Sequence, residues 1–231
     1  MDSLPLAVGD GVAEVSGRDR ALARLRERRA IALVRADSEE LALRLAQVTI
    51  AAGLMAIEVA WCGEASARAI ASLRETFPQC EIGAGTILSA SDARAAIAAG
   101  AQFLFSPYTD GATLEVAEAA DVLAIPGALT PTEIHRARKL GATAVKVFPI
   151  AAVGGVDYLR ALRAPLPRVP LIPTGGVTIA DACDYLKAGA IAVALSSALF
   201  PAELVRRGDW DAIASRLRKL TDELAKIDID R

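Results

Sequence analysis

The sequence of 231 residues predicts a (β/α)8 barrel, a ring of eight parallel strands that alternate with helices. Three observations predict it: eight short runs rich in β-branched apolar residues, helix-forming stretches between them, and a glycine at most helix-to-strand joints. A chain of this length commonly folds as one barrel, and an open doubly wound sheet is the alternative. We expect one domain, with an N-terminal extension and helix in residues 1–29, the barrel in residues 30–200 and a helical segment in residues 201–231.

Each strand is predicted from a nearly unbroken apolar run, which is typical of parallel strands buried on both faces. The predicted strands cover residues 30–35, 56–61, 81–84, 102–106, 122–125, 144–148, 169–173 and 190–195.

The segments between the strands have the composition and capping residues of helices. The predicted helices include residues 38–52, 65–77, 90–99, 130–140 and 179–188, with caps at Ser38, Ser89, Thr130 and Thr178. A charged segment, residues 18–29, forms an extra helix with Leu22 and Leu25 on one side, and residues 209–230 form the last helix. Glycines are expected to end helices in the left-handed conformation at residues 53, 100, 141, 189 and 208.

Composition restricts the class of protein. Hydrophobic residues make up 53% of the chain and charged residues 23%, which indicates a large buried core. A net charge of −2 gives no electrostatic footprint for nucleic acid. The first 18 residues do not resemble a leader peptide, and no segment reaches the ~20 apolar residues of a membrane span. We therefore expect a cytoplasmic protein without membrane or nucleic-acid partners.

Cysteine and histidine usage favours a reducing compartment and a metal-free protein. Cys62, Cys80 and Cys183 are odd in number and scattered, which argues against a disulfide framework. His135, the single histidine, lies in a polar helical stretch and is expected at the surface. A histidine-rich metal centre is excluded, and only a carboxylate-bound magnesium ion stays open. We predict no metal and no cofactor.

Lys146 lies in the apolar run of residues 144–150 (AVKVFPI), where a buried ammonium is costly unless it is paired or loses its proton. Desolvation favours the neutral amine, which is the nucleophile that forms a Schiff base with a carbonyl substrate. The alternative is a lysine whose ammonium reaches water or pairs with a carboxylate at the strand end.

Glu58 is a carboxylate in an equally apolar strand, flanked by residues 56–57 and 59–61. Barrel active sites lie at the carboxyl ends of the strands, so Glu58 and Lys146 are expected in one site. A carboxylate whose pKa is raised by burial can act as general acid and base. A structural ion pair between the two residues is the alternative.

Further small and polar residues follow the predicted strand ends, and each has a structural alternative. Thr86, after two glycines, offers a hydroxyl suited to a carboxylate, or marks a tight turn. Gly175 and Gly176, which follow Thr174, let backbone N–H groups approach a phosphate, which Ser196 and Ser197 could help to bind; a simple turn is the alternative. The remaining residues at these ends are Arg35, Ser106, Pro107, Pro126 and Gly127.

A series of motifs between about residues 31 and 201 resembles the 2-keto-3-deoxy-6-phosphogluconate (KDPG) aldolase family, which are class I, Schiff-base-forming pyruvate aldolases. The motifs are ALVR at 32–35, IEV at 57–59, GAGTIL at 83–88, FSP at 105–107, PG at 126–127, VKVFP at 145–149, PTGGV at 173–177 and SAL at 197–199. In order along one chain, these motifs are highly specific.

The resemblance implies a role for each matching residue. Lys146 corresponds to the Schiff-base lysine, Glu58 to the acid/base that works through a water, and Thr86 to a ligand of the pyruvate carboxylate. Pro107 and Phe148 fall in matching motifs and are counted with the substrate-binding residues. The region of the substrate phosphate matches Thr174, Gly175, Gly176 and Ser197. A metal-free homotrimer is also implied.

Departures from the family pattern fall at the substrate, among them Val59, Ala60 and Trp61, which alter the wall that faces it. Cys62 stands where some relatives carry an arginine, whereas Arg35 stands where other relatives carry one. Arg35 is therefore expected to contact the substrate carboxylate, and pairing with a neighbouring acid is its alternative. Ser196 replaces the usual glycine before the serine and crowds the phosphate pocket by one side chain.

The activity that the resemblance implies is reversible cleavage of KDPG to pyruvate and glyceraldehyde 3-phosphate. The alternatives within enzymes keep Lys146 and Glu58 but act on the phosphorylated galactonate epimer or on unphosphorylated 4-hydroxy-2-oxoglutarate. An alternative of another class is a non-catalytic barrel for phosphosugar binding or assembly.

Overall fold

The computed structural model describes residues 15–227, so the predictions for residues 1–14 and 228–231 lie outside it. Parallel strands alternate with helices over this range, as the sequence predicts. The strands are β1 (Ala30–Val34), β2 (Ala56–Ala60), β3 (Glu81–Gly85), β4 (Phe103–Phe105), β5 (Leu123–Ile125), β6 (Gly127–Ala128), β7 (Val145–Val147), β8 (Leu171–Pro173) and β9 (Val193–Leu195).

Ten α-helices lie within the described residues, and a 3-10 turn at Ala151–Val153 precedes one of them. The helices are α1 (Gly17–Arg28), α2 (Glu39–Ala51), α3 (Glu64–Thr76), α4 (Ala90–Ala98), α5 (Gly111–Ala119), α6 (Pro131–Lys139), α7 (Gly155–Arg163), α8 (Ala182–Lys187), α9 (Ala202–Arg207) and α10 (Trp210–Ala225). No helix of residues 15–227 has the length and apolar content that crossing a bilayer requires.

The strands form two parallel sheets. Six strands pair in the order β5-β4-β3-β2-β1-β9, and three pair in the order β6-β7-β8. Two links join the sheets. Only Pro126 separates β5 from β6 along the chain, and Thr174, directly after β8, forms a parallel bridge with Ala194 of β9. The architecture is therefore a mixed α/β fold with a strongly curved parallel sheet.

Alternate residues along the strands face opposite sides. Ala30, Ala32 and Val34 of β1 pack in the large cluster beneath the helices, whereas Ile31 joins a second, smaller cluster. We call this second cluster the inner cluster; its members are Ala21, Leu25, Ile31, Ala56, Phe103, Phe105, Leu123, Ile125, Ala144, Ile172, Ala192 and Ala194. The period of two residues places one set of side chains of every strand on the inner face of the sheets.

Helix α1 closes the amino-terminal end of the inner face. Its Ala21 and Leu25 belong to the inner cluster, and Arg24 forms an ion pair with the buried Glu81 at the start of β3. The predicted extra helix is confirmed, with Ser16 as its N-cap. The opposite, carboxyl-terminal end of the inner face holds the candidate functional residues.

Several predicted element ends are confirmed. Ser38, Ser89 and Thr130 each accept a hydrogen bond from the backbone of the helix that they precede. All five predicted helix-ending glycines have positive φ, between 65° and 97°.

Two expectations were wrong in detail. The fifth predicted strand is followed at once by a second strand, the two-residue β6. Pro126 separates the two because it has no N–H group to continue the backbone pairing. The helix expected over residues 179–188 begins only at Ala182, and Thr178 does not cap it. Instead the Thr178 N–H donates to Asp181 Oδ1 (2.7 Å) and the Asp181 N–H donates to Thr178 Oγ1 (3.3 Å), which closes a turn.

Candidate active site

Lys146 is the central residue of β7 and points to the inner face. Its neighbours Val145 and Val147 pack toward the helices, and only 4% of Lys146 is exposed. Its Nζ lies 5.4 Å from the ring centroid of Phe105 and 4.9 Å from that of Phe148. Within residues 15–227, no carboxylate lies within 4.0 Å of this ammonium. The predicted alternative of a pairing carboxylate is therefore not observed within this range.

Glu58 lies on the same face, on β2, and is fully buried. Neither of its carboxylate oxygens has a hydrogen-bond partner in the described part of the chain. The strand β3 provides the space: Glu58 is in register with Gly83, and a Cβ at Gly85 would lie 1.6 Å from Glu58 Oε1. The glycines of the GAGT motif therefore leave room for a carboxylate that is held without a structural partner.

Burial dominates the electrostatics of both groups. Desolvation raises the pKa of Glu58 to about 7, although the positive charges of Lys146 and Arg35 lower it. Desolvation also lowers the pKa of Lys146, against the opposing effect of Glu58, and the charge of Arg35 lowers it further. The site therefore holds an amine that loses its proton easily and a carboxyl group that titrates near neutral pH, which is the combination that nucleophilic and acid-base chemistry requires.

Arg35 and Thr86 lie at the carboxyl ends of β1 and β3. Arg35 is exposed, and no ion pair or hydrogen bond of its guanidinium occurs among residues 15–227, so the predicted alternative of a pairing acid is not observed there. Thr86 is half-buried and has φ of 60°, which is strained for a β-branched residue. Residues in strained backbone conformations concentrate at functional sites, and Thr86 directly follows β3.

Phe148 and Pro107 bound the site on its other sides. The half-buried Phe148 ring lies between Lys146 and Gly175, where a Cβ on Gly175 would lie 2.9 Å from Phe148 Cδ2. Pro107 follows β4, and its carbonyl group packs on Gly127, at which a Cβ would lie 2.2 Å from Pro107 O. At both positions a side chain would collide with the neighbouring residue, so glycine is required.

The predicted phosphate loop, residues 174–176, is only partly accessible to solvent. Gly175 and Gly176 both have positive φ, and a Cβ at Gly176 would lie 2.4 Å from Ala151 Cβ. Gly176 is exposed, and within the described range its N–H donates to no protein acceptor. Thr174 is different: it is 3% exposed, and its hydroxyl donates to Ile172 O at 3.4 Å. The backbone of the glycines, rather than the threonine side chain, faces the open side.

Ser196 and Ser197 follow β9 beside this loop, because Ala194 bridges to Thr174. Ser196 is half-buried and its carbonyl accepts from Leu199 and Phe200, whereas Ser197 is exposed. The loop of Gly176 and the turn of Ser196 and Ser197 therefore follow two neighbouring strands at the same end of the fold.

Two features of the site are absent from the sequence predictions. Phe105 lies beside Lys146, but the sequence marks it only as a member of β4 and of the FSP motif at 105–107, without a role at the site. Ser66 of α3 accepts from the Cys62 N–H (2.9 Å) and donates to Ala60 O (2.9 Å), which fixes the turn after β2. Cys62, which stands where some relatives carry an arginine, is exposed, and its Sγ lies 3.1 Å from Ser66 Oγ.

A buried lysine and a buried carboxylate at the carboxyl ends of parallel strands define the class of site found in Schiff-base lyases. Comparisons with known proteins agree. Residues 22–216 match the family model described as KDPG and KHG aldolase. The chain is 31% identical over 199 residues to the 2-dehydro-3-deoxy-phosphogluconate aldolase of Haemophilus influenzae, covering 86% of this chain and 94% of that protein. It is 32% identical over 183 residues to the KHG/KDPG aldolase of Escherichia coli K12, covering 79% and 86%.

A solved structure gives the same result. The KDPG aldolase of Legionella pneumophila, with pyruvate captured as a covalent carbinolamine intermediate, superposes with a TM-score of 0.79 and 28% identity, over 87% of this chain and 97% of that one. The chain therefore belongs to the KDPG and KHG aldolase family of carbon–carbon lyases, as the motifs predict.

Proposed function

We propose that this protein is a class I aldolase that cleaves KDPG reversibly to pyruvate and glyceraldehyde 3-phosphate through a Schiff base on Lys146. The observation that carries the proposal is the pair of buried, unpartnered groups on one face: the Lys146 amine with a lowered pKa and the Glu58 carboxyl with a pKa of about 7. A structural ion pair would bring the two groups together, whereas here both are left available for reaction.

Lys146 supplies the electrophilic catalysis. Its neutral amine attacks the C2 carbonyl of the substrate, and loss of water from the resulting carbinolamine leaves a cationic imine. The imine nitrogen accepts the electron pair of the C3–C4 bond when that bond breaks, which releases the aldehyde and leaves an enamine. Protonation of the enamine at C3 and hydrolysis of the imine then release pyruvate and the free lysine.

Glu58 moves the protons. As a carboxylate it accepts the proton of the C4 hydroxyl during cleavage, through a bridging water, and as an acid it returns a proton to the enamine. A pKa of about 7 makes both protonation states accessible near neutral pH, which is the condition for a group that alternates between acid and base.

Arg35 and Thr86 orient the substrate carboxylate in this proposal. The Arg35 guanidinium lies close enough for its charge to act on both Glu58 and Lys146, and it is without an acidic partner in the described residues. Thr86 adds a hydroxyl one residue beyond Gly85, which is the residue that contacts Glu58. Pro107 and Phe148 provide walls.

The substrate phosphate is proposed to bind at the rim formed by Gly175, Gly176 and Ser197. Backbone N–H groups of glycines at positive φ and an exposed hydroxyl are suited to a phosphate oxygen. Thr174 supports this loop by its backbone, and Ser196 shapes the turn beside it.

We further propose that the two sheets close into one (β/α)8 barrel that forms a single domain. The bridge between Thr174 and Ala194, and the continuity of β5 and β6 around Pro126, support closure at the two edges. A metal-free homotrimer in the cytoplasm is what family resemblance implies; sedimentation equilibrium of the purified protein tests the oligomer.

Trapping with pyruvate and borohydride tests the central proposal. Peptide mass spectrometry is expected to find a reduced pyruvate adduct on the peptide that contains Lys146, and Lys146→Ala is expected to abolish both the adduct and KDPG cleavage. A folded wild-type protein that forms no adduct would overturn the Schiff-base mechanism and favour the non-catalytic, phosphosugar-binding alternative.

A second substrate, 4-hydroxy-2-oxoglutarate, is favoured by the similarity to the Escherichia coli protein named KHG/KDPG aldolase. The galactonate epimer of KDPG differs only at C4, near the Glu58 carboxylate in the proposed geometry. Inhibition by inorganic phosphate distinguishes phosphorylated substrates from the unphosphorylated acid. Phosphate competes with KDPG or its epimer at the Gly176–Ser197 rim but not with 4-hydroxy-2-oxoglutarate.

A further inference from the structure

The Lys146 ammonium lies between two aromatic rings. Phe148 follows the same strand and lies 4.9 Å from Nζ, and Phe105 of β4 lies 5.4 Å from it on the inner face. Phe105 is completely buried, so its ring meets the ammonium in a site from which water is largely excluded. The two distances are within the range in which an aromatic face attracts a cation.

Packing holds the Phe105 ring in place. It meets Phe103 edge to face, with ring centroids 5.7 Å apart and an interplanar angle of 74°. Phe103 in turn lies against Gly83, where a Cβ would be 2.3 Å from its ring. Rings fixed in this way lose no further side-chain entropy when they act on a neighbouring charge.

The charged groups that face Lys146 do not satisfy its ammonium. They are Glu58 from β2, which makes no hydrogen bond to it, and Arg35 after β1, whose positive charge opposes it. Neutral aromatic faces are therefore the groups that remain to stabilise a cation at this nitrogen. They attract an ammonium or an iminium and have no comparable attraction for a neutral amine.

We propose that Phe105 is a positioning residue for the aldolase reaction, which holds the Lys146 nitrogen and stabilises its cationic forms, the ammonium and the iminium. This inference rests on the proposed function for its effect on catalysis, but its effect on Lys146 itself can be measured without substrate. Relative to the neutral amine, a ring that stabilises the iminium lowers the barrier to imine formation, which is the step that precedes cleavage of the C3–C4 bond.

The first experiment measures the titration of Lys146 directly. Wild-type protein and Phe105→Leu are labelled with acetic anhydride at a series of pH values, and acetylation of the Lys146 peptide is measured by mass spectrometry. Loss of the aromatic face is expected to lower the apparent pKa of Lys146 by about one unit, since the ring no longer favours the charged form. At a pH above the apparent pKa of Lys146 in both proteins, where the amine is neutral, pyruvate trapping is expected to slow by roughly tenfold at saturating pyruvate.

Matched variants separate this effect from a loss of packing. Phe103→Leu removes a ring from the same strand and cluster, but one that does not contact Nζ. Because it loosens the packing on Phe105 without removing that ring, it is expected to shift the Lys146 titration much less than Phe105→Leu does. Pentafluorophenylalanine at position 105 nearly keeps the shape of the ring and reverses its quadrupole, so it is expected to lower the apparent pKa as Phe105→Leu does.

The outcomes are distinct. An unchanged Lys146 titration in Phe105→Leu and in the pentafluoro protein, or an equal shift in Phe103→Leu, would overturn the role of Phe105. A shifted titration in protein whose wild type traps no pyruvate would support the action of the ring on Lys146 and overturn the proposed aldolase function instead.

Discussion

Gly85 of β3 lies directly against the carboxylate of Glu58 on β2. A Cβ at Gly85 would lie 1.6 Å from Oε1 and 2.3 Å from Cδ of Glu58, so any side chain at position 85 requires Glu58 to move. The conformation of Gly85 does not require glycine, since its φ is not positive. Glycine at position 85 is therefore required by the neighbouring Glu58 carboxylate, and a substitution at this position tests the proposed role of Glu58.

Gly85→Ala is expected to displace the Glu58 carboxylate and to lower KDPG cleavage by roughly 100-fold or more, because general acid-base catalysis contributes at least that much. Overpacking of a filled site is also expected to destabilise the fold by about 1 to 3 kcal/mol. Cleavage rates and urea unfolding of the purified variant measure the two effects.

Gly111→Ala is the control for this substitution. Gly111 begins α5, has no positive φ, and its Cβ would meet only Leu140 Cδ2 at 4.0 Å. It is expected to keep full activity and stability. Wild-type activity in Gly85→Ala would show that Glu58 does not act from the position that it occupies here.

The pH dependence of stability is a second consequence of the buried Glu58. Its folded pKa of about 7 lies above the value of 4.5 for an unperturbed carboxyl, so the folded state binds more protons than the unfolded state between these values. Its contribution to stability is therefore highest below pH 4.5 and is lost as the pH rises through about 7. For a fully buried group the loss is on the order of 3 kcal/mol.

Glu58→Gln removes this titration. Urea unfolding at pH 5 and pH 8 is expected to show that wild-type stability falls by about 2 to 3 kcal/mol more than that of Glu58→Gln over this interval. Other titrating groups cancel in the comparison. Parallel changes in the two proteins would mean that Glu58 keeps an ordinary pKa in the folded state.

Sequence reasoning identifies the two candidate reactive groups because the residues that make them unusual are their neighbours in the chain. Lys146 and Glu58 are conspicuous in apolar strands, and the period of two residues gives their common face with Ala144 and Ala56. The helix-ending glycines are found for the same reason, since a left-handed residue after a helix is a local requirement.

Properties that depend on contacts between distant segments are not visible in the sequence. From the sequence alone, Gly85 is interpreted as a flexible turn residue. Its contact with Glu58 depends on the register of β2 and β3, which the sequence does not specify locally. The FSP motif marks Phe105 without giving it a role, and its position beside Lys146 becomes visible only once β4 and β7 are placed in the fold. The late start of α8 arises from the competing Thr178–Asp181 turn, which capping rules for single residues do not resolve.

Arg35→Ala tests the proposed carboxylate contact and the charge balance together. Loss of a charge-assisted hydrogen bond is expected to raise the KM for KDPG roughly tenfold or more. The Arg35 charge lowers the pKa of both Glu58 and Lys146, so its removal is expected to raise both values and to move both limbs of the pH profile of kcat/KM to higher pH. Steady-state kinetics across the pH range measure both effects.

Cys62→Ala is the matched variant, because Cys62 is a neutral residue with Sγ only 3.9 Å from the carbonyl of Ala36, next to Arg35. Cys62→Ala is expected to leave both limbs of the pH profile of kcat/KM unchanged. If Arg35→Ala changes KM but neither limb moves, Arg35 binds substrate without setting the charge of the site.

Ser197→Asp addresses the proposed phosphate rim. A carboxylate at this exposed position faces the open side near Gly176, and like-charge repulsion is expected to raise the KM for KDPG by roughly tenfold or more. Pyruvate has no phosphate, so borohydride trapping of pyruvate on Lys146 is expected to proceed at the wild-type rate in the same variant. Ser197→Ala, which removes the hydroxyl without adding charge, is expected to have a smaller effect on KM. Equal losses with KDPG and with pyruvate would mean that Ser197 supports the fold of the site, and the phosphate would then have to bind elsewhere.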